Sequence, residues 1–274
     1  MSWWGAQVDI EQVRADYDAQ IRRNTSADEP GAVIEDLGIV VRWLAPPGHG
    51  LSCITWSGLD AGNAGAAIAA QREFFTARGE GVEWKLYDYD QPADLAARLA
   101  AAGFAAEEEE LMLVAETAAV QAAVVLPEGV RLEPVTDEAG VHALMSVHRH
   151  DPGSDQQAWM TKALLGDLRD PRHLTEMVVA MAGDEPVSSA RIQFVPGTDF
   201  AGLWGGSTVP AWRGKGIFRA LVAYRAGLAA ARGYKYLQVD ASHMSRTILR
   251  RLGFTPVAST TPYIFDPAGP AAAN

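Results

Sequence analysis

Apolar residues recur at helical spacing over residues 8–23, where Ile10, Val13, Tyr17 and Ile21 share one face. The polar stretch 24–31, ending Glu29-Pro30-Gly31, predicts a loop. Short apolar runs at 39–44 and 51–56 predict two strands around Pro46-Pro47-Gly48. A helix over 63–78 is stopped by Gly79. A strand at 82–89, a helix at 93–102 closed by Gly103-Phe104, and a strand at 111–115 follow. The acidic run Glu107 to Glu110 reads as a solvated edge.

The alanine-rich stretch 118–129 ends Leu126-Pro127-Glu128-Gly129, where a domain boundary is expected. Beyond it the pattern predicts a strand from Val130 and helices near 137–149 and 155–168. Strands follow at 177–182, 187–195 and 200–208. Next come a helix over 217–232, a strand at 235–240, a helix at 245–252 and a last strand near 256–265. The Pro/Ala/Gly-rich tail is expected to fray. The expected fold class is α/β (α+β), with a domain at 1–120, a second at 129–266 and a disordered tail at 267–274.

The two halves run in parallel. Trp204 leads to a helix ending Ala231-Arg232-Gly233, then a strand and a helix ending Leu252-Gly253-Phe254. In the first half Trp56 leads to Ala77-Arg78-Gly79, then to Ala102-Gly103-Phe104. Trp204 precedes its glycine by 29 positions and Trp56 by 23, so the first copy is about six residues shorter between strand and helix. That is where the second copy carries a glycine loop, and a duplicated domain with one eroded site is expected. The first copy's stretch Gly58 to Gly65 contains Asp60 and no base, so one ligand per chain is expected.

With 274 residues, two domains are anticipated. The net charge of −11 argues against nucleic-acid binding. No apolar run is long enough to span a bilayer and no signal peptide is read, so neither membrane nor nucleic acid is an expected partner and a cytoplasmic location is expected. The lone Cys53 lies in an apolar run and is expected to be a buried structural thiol. Charge placement says more than its total: from Arg213 to Arg251 there are nine bases and one acid, Asp240. Taken alone, such a run is a solvated helix face.

The segment Val209-Pro210-Ala211-Trp212-Arg213-Gly214-Lys215-Gly216-Ile217-Phe218-Arg219 follows an apolar strand and opens an amphipathic helix. Glycines there let backbone N–H groups converge, and a helix N-terminus adds positive potential. A pyrophosphate suits such a site. Neither a Walker loop nor the dinucleotide fingerprint is present. The segment resembles the signature of the GNAT superfamily of N-acyltransferases, Arg/Gln-x-x-Gly-x-Gly/Ala, as Arg213-x-x-Gly216-x-Phe218. Leu252-Gly253-Phe254 matches a second element of that family, and the resemblance covers about 130–265. A weaker version covers about 37–116, which identifies the chain as similar to tandem GNAT proteins.

The resemblance implies two GNAT-like domains, each a mixed, mostly antiparallel sheet flanked by helices and splayed between its fourth and fifth strands. It implies acetyl-CoA as co-substrate and no metal. The pantetheine would lie along residues 206–209, among them Ser207, Thr208 and Val209. Arg213, Gly214, Lys215, Gly216, Ile217, Phe218 and Arg219 would hold the phosphates. The acceptor would be a primary amine, of a small molecule before a protein, and a homodimer is left open. A catalytically silent acyl-CoA-binding or regulatory protein is the rival reading.

Three departures stand out. Phe218 replaces a small residue, Ser242 or His243 stands where many relatives have an asparagine near the pantetheine, and Leu249 falls where many relatives have a tyrosine serving as general acid. Asp240, Ser242, His243 and Ser245 are the candidates for proton transfer. The segment His148-Arg149-His150-Asp151, expected to wall the acceptor pocket, is a second source of a base. Solvated loop groups are the blander reading of each. Trp159, Trp204 and Trp212 are candidates to line the pocket, with core packing or surface cover as the alternative.

Overall fold

The structure is a computed structural model describing residues 8–27, 29, 31–47, 51–120, 125–148 and 157–269. In chain order, helix α1 (Ile10–Tyr17) runs into a π-helical turn (Asp18–Arg22). Then come β1 (Val33–Asp36), β2 (Val40–Leu44), β3 (Ser52–Ser57), α2 (Ala64–Arg78), β4 (Val82–Tyr87), α3 (Leu95–Ala101), β5 (Ala105–Ala106) and β6 (Glu110–Glu116). The second half holds β7 (Val130–Pro134), α4 (Glu138–His148), α5 (Gln157–Arg169), β8 (Thr175–Ala182), β9 (Glu185–Phe194) and β10 (Phe200–Thr208). It continues with a 3₁₀ turn (Pro210–Trp212), α6 (Ile217–Ala231), β11 (Tyr236–Ala241), α7 (Arg246–Arg251) and β12 (Thr255–Phe265). Trp3 and Trp4 lie outside the described residues, as does most of the tail.

The chain forms two compact units, each a mixed sheet with helices. They are not contiguous segments. One gathers Ile10–Met112, Asp240–His243 and the chain from Val257 on, and the other holds Leu113–Val239 and Met244–Pro256. A boundary at 120–129 assigns the last strand to the second half; the structure groups it with the first. The reason is packing. β12 pairs antiparallel with β4 from Thr260↔Tyr87 to Phe265↔Val82. Its alternating Tyr263 and Phe265 join the core of Phe75, Trp84, Leu99 and Phe104. Trp84 meets Phe104 edge-on at 6.1 Å, and Phe104 meets Phe265 at 5.3 Å. Leu113–Glu116 of β6 goes the other way and lies beside β11.

In the second unit β7, β8, β9 and β10 pair antiparallel in sequence, and β10 pairs parallel with β11. Period-2 alternation sorts the two faces. Val178, Ala180 and Ala190 pack with Ile217 and Leu221 of α6. Met177 and Val179 pack with Val141 and Leu144 of α4 and Leu164 of α5.

Two irregularities position the site. The β10–β11 pairing covers only Phe200–Gly202 against Tyr236–Gln238, so the strands part beyond it. β10 also bulges: Trp204 pairs Arg191 and Ser207 pairs Ser189, which sets Gly205 and Gly206 against Ala190 alone. Gly205 takes φ +57°, a left-handed backbone that glycine tolerates. The first unit repeats the plan. There β3 and β4 pair only over Ser52–Ile54 against Val82–Trp84, and a register shift leaves Thr55 as the extra residue of β3.

Candidate active site

The loop between β10 and α6 is built for close approach to its backbone. Gly214 and Gly216 adopt φ +75° and +89°, and Gly216 caps α6. The Gly216 carbonyl accepts from the Ala220 N–H, so the N–H groups of 217–219 are first-turn donors without an intrahelical acceptor. With the helix dipole they make an arrangement whose chemistry suits an anion such as a pyrophosphate. Arg213, Lys215 and Arg219 are exposed around it. The Arg213 Nε donates to the Thr208 carbonyl at 2.9 Å, and the Lys215 ammonium lies 4.2 Å from the Trp212 ring centroid. The bulky Phe218 is accommodated by a missing side chain elsewhere: its ring lies 3.0 Å from where a Cβ on Gly206 would stand. Ile217 is buried and anchors the helix start.

The bulge brings further groups together. The Ser188 hydroxyl reaches the Ser207 carbonyl (2.6 Å) and the Thr208 hydroxyl (2.7 Å), and the Val209 N–H donates to Val187 (2.9 Å), which fixes the strand just past the bulge. On the α4 face, a Cβ on Gly205 would stand 3.4 Å from Arg191 Nη1 and 3.7 Å from His148 Nε2. The Ser189 hydroxyl lies 3.3 Å from His148 Nε2 and 3.5 Å from the Leu144 carbonyl, and so orients the imidazole. Trp204 folds back over Gly202, where a Cβ would stand 2.6 Å from the indole Nε1. It keeps 38% of its surface exposed, so it is a wall rather than a core residue. On the α6 face the buried Arg225 touches the same bulge. Sequence reasoning missed Ser189, Arg191 and Gly205. The Gly205-Gly206 doublet inside a strand was the available signal.

The candidates for proton transfer are dispersed. Asp240, Ser242 and His243 fall in the unit of the first half, and Ser245 falls with the loop, at the start of α7. The buried Asp240 carboxylate is ion-paired with Lys85 of β4. Burial works against the Lys85 charge and Asp240 outweighs it, holding the ammonium well above its usual range. His243 Nδ1 lies 2.9 Å from the exposed Glu108 carboxylate. Leu249 is buried, so that position turns an apolar side chain into the core. His150 and Asp151 lie outside the described residues. The Cys53 thiol is pushed up by burial and then by Glu83, which removes thiolate character.

Among its described residues the first unit offers no such arrangement. In its shorter loop the Asp60 carboxylate accepts from the N–H groups of Gly62 (2.7 Å) and Asn63 (2.9 Å), and Asn63 Oδ1 accepts from the Asp60 N–H (2.8 Å). A carboxylate of the chain itself uses these donors. The parting of β3 and β4 is also filled. Arg22 donates to the Thr55 carbonyl at the irregularity (3.2 Å) and pairs with Asp18 and Asp90, both at 2.8 Å. One CoA per chain is therefore the expected stoichiometry by calorimetry at saturation. A value near two would overturn the assignment of a single site.

No helix among the described residues is long and apolar enough to cross a membrane. No group of three or more His, Cys, Asp or Glu there is arranged to hold a metal. The fold matches several solved structures. A GCN5-related N-acetyltransferase from Kribbella flavida aligns with TM-score 0.67 and 18% identity, over 97% of this chain and 98% of that one. A functionally unknown conserved protein from Staphylococcus epidermidis aligns with TM-score 0.68 and 14% identity, over 88% and 96%. A tandem GNAT protein from the clavulanic acid biosynthesis pathway aligns with TM-score 0.61 and 14% identity, over 89% and 85%. At these identities the likeness is one of fold. Among curated proteins none matches the sequence. Residues 141–254 match the model of the acetyltransferase (GNAT) family, and they contain the loop, the bulge and His148. The second half of this chain carries an acetyltransferase domain of the GNAT family.

Proposed function

We propose that the second unit transfers the acetyl group of acetyl-CoA to a primary amine of a small molecule. The reading is carried by one juxtaposition: a phosphate-binding helix start, a parted strand pair and a glycine bulge flanked by His148, all within one unit. The loop from Arg213 to Arg219 holds the phosphates. The pantetheine runs along Ser207, Thr208 and Val209, where β10 has left β11. The thioester then lies at the bulge, and the amine approaches from the side of Trp204 and His148.

The amine nitrogen forms a bond to the thioester carbon, and the carbonyl oxygen takes the electron pair of the broken π bond. Before the attack His148 takes a proton from the substrate ammonium, directly or through a water, and so frees the neutral amine; the adduct nitrogen then sheds its second proton to solvent. Collapse re-forms the carbonyl and breaks the C–S bond; the CoA thiolate leaves and takes a proton from solvent. The reaction is placed in the cytoplasm, in line with a chain that has a single, desolvated thiol.

A silent acyl-CoA-binding protein is the second reading, favoured by the apolar Leu249 where a proton donor is expected. Thiol release from acetyl-CoA, followed with a thiol-reactive dye, separates the two. Release that requires a small-molecule amine is the expected result. Acetyl-CoA binding without amine-dependent release selects the silent protein, and release only with peptide amines selects a protein acetyltransferase.

A further inference from the structure

Arg225 lies two turns into α6 with 2% of its surface exposed. Its Nε donates to the Leu221 carbonyl (3.0 Å), and its Nη1 to the carbonyls of Arg191 (3.0 Å) and Trp204 (3.4 Å). No carboxylate among the described residues pairs with it. Burial pushes its pKa down to about 9, which still leaves the guanidinium charged at neutral pH. An unneutralised buried charge is unfavourable, and the other buried arginines among the described residues, Arg22 and Arg42, have acidic partners. Arg22, equally buried in the first unit, is held between Asp18 and Asp90.

The internal duplication sharpens the contrast. Each of the two helices ends at a left-handed glycine, Gly79 or Gly233. Counting back eight residues from each reaches Gln71 and Arg225. Gln71 is buried too, but it is neutral and its Oε1 accepts from Arg42. Among the described residues, the buried cation without an acidic partner therefore occupies the unit with the glycine loop, and a neutral amide takes the matching place in the unit without it.

The carbonyls that Arg225 holds belong to the bulge. In a trans peptide the C=O and the following N–H point in opposite directions. With the Trp204 carbonyl turned to Arg225 on the α6 face, the Gly205 N–H turns to the opposite face. That is the face where Gly205 neighbours His148 and Arg191. The bulge has also taken Gly205 out of the ladder with β9.

We infer that Arg225 is the positioning residue for acyl transfer: it aims the Gly205 N–H at the thioester oxygen and lends its unneutralised charge to the oxyanion that forms there. The inference rests on the acyl-transfer reading. It also explains how a site with Leu249 in place of a proton donor expels a thiolate, since a cation one peptide away favours negative charge on both oxygen and sulfur.

The test uses Arg225→Gln, which installs the first unit's residue, and Arg225→Lys, which keeps the charge. With the best amine, Arg225→Gln should lower kcat on the order of 100-fold. Its KM and Kd for acetyl-CoA should stay near those of the wild type, because the phosphate loop is untouched. Arg225→Lys should recover part of kcat. Infrared spectra of bound acetyl-CoA, isotopically labelled at the carbonyl, should show the stretch at lower frequency than in water, and Arg225→Lys should retain most of that shift. The wild-type spectrum needs no variant, so it decides even if Arg225→Gln fails to fold. Wild-type kcat in folded Arg225→Gln, a loss confined to Kd, or an unshifted carbonyl would overturn the inference alone. A wild type that binds no acetyl-CoA would overturn the acyl-transfer reading and this inference with it.

Discussion

Gly216→Val is expected to weaken CoA binding severely while leaving the protein folded. Gly216 holds φ +89°, where a β-branched residue is strained by about 1–3 kcal/mol. The nearest atom to a Cβ there is the Val125 carbonyl oxygen at 3.9 Å, so the chain itself has room. The cost is therefore one of backbone conformation and of ligand access. Either the loop keeps its strained shape with a branched side chain among the donors, or it relaxes and turns the N–H groups of 217–219 away. Conformational relaxation alone is worth about 10- to 100-fold in affinity, and crowding of the phosphates adds to it. Calorimetry with CoA checks the loss, and a thermal melt checks that the fold survives. Unchanged affinity in a folded variant would remove the loop from the binding site.

The same loop shows what periodicity and local chemistry make legible. Helix α6 lies at 217–231 against an expected 217–232, because Ile217, Leu221 and Leu228 fall at helical spacing and Gly233 stops it. β10 spans 200–208 as expected from its apolar run. The short β1 was not read, since Val33–Asp36 is half polar, with both end residues exposed. The final turn after α1 is π-helical, a detail that amphipathicity does not encode.

Pairing across long sequence distances was invisible for a physical reason: a strand's pattern says which face is buried, not which strand lies beside it. β12 was therefore assigned to its own half, and Asp240 was read as an available base. Its partner, Lys85, stands 155 positions away. Arg225 was counted as one base in a basic segment, when among the described residues it is the base buried without an acid. The likeness of the two halves was read from two tryptophans and the glycines after them. It reappears as repeated geometry, an irregular strand paired only at its start with the next parallel strand.

His148→Gln is expected to lower kcat by about 100-fold or more at neutral pH, the usual contribution of a positioned general base. The case for His148 is positional. It ends α4, the helix packed on β9 and β10, and its Nε2 reaches both the Ser189 hydroxyl and the surroundings of Gly205. Imidazole is the side chain suited to taking a proton from an amine near neutrality. The loop between β10 and α6 is remote from it in sequence, so the affinity for CoA should be unchanged. The pH dependence carries a sign. As pH rises, a larger share of the amine is already neutral and less depends on the base, so the gap between wild type and His148→Gln should narrow. Steady-state rates from pH 6 to 9.5 check this. A gap that stays constant over that range would assign His148 to holding the acceptor, and wild-type kcat in the variant would place the base elsewhere.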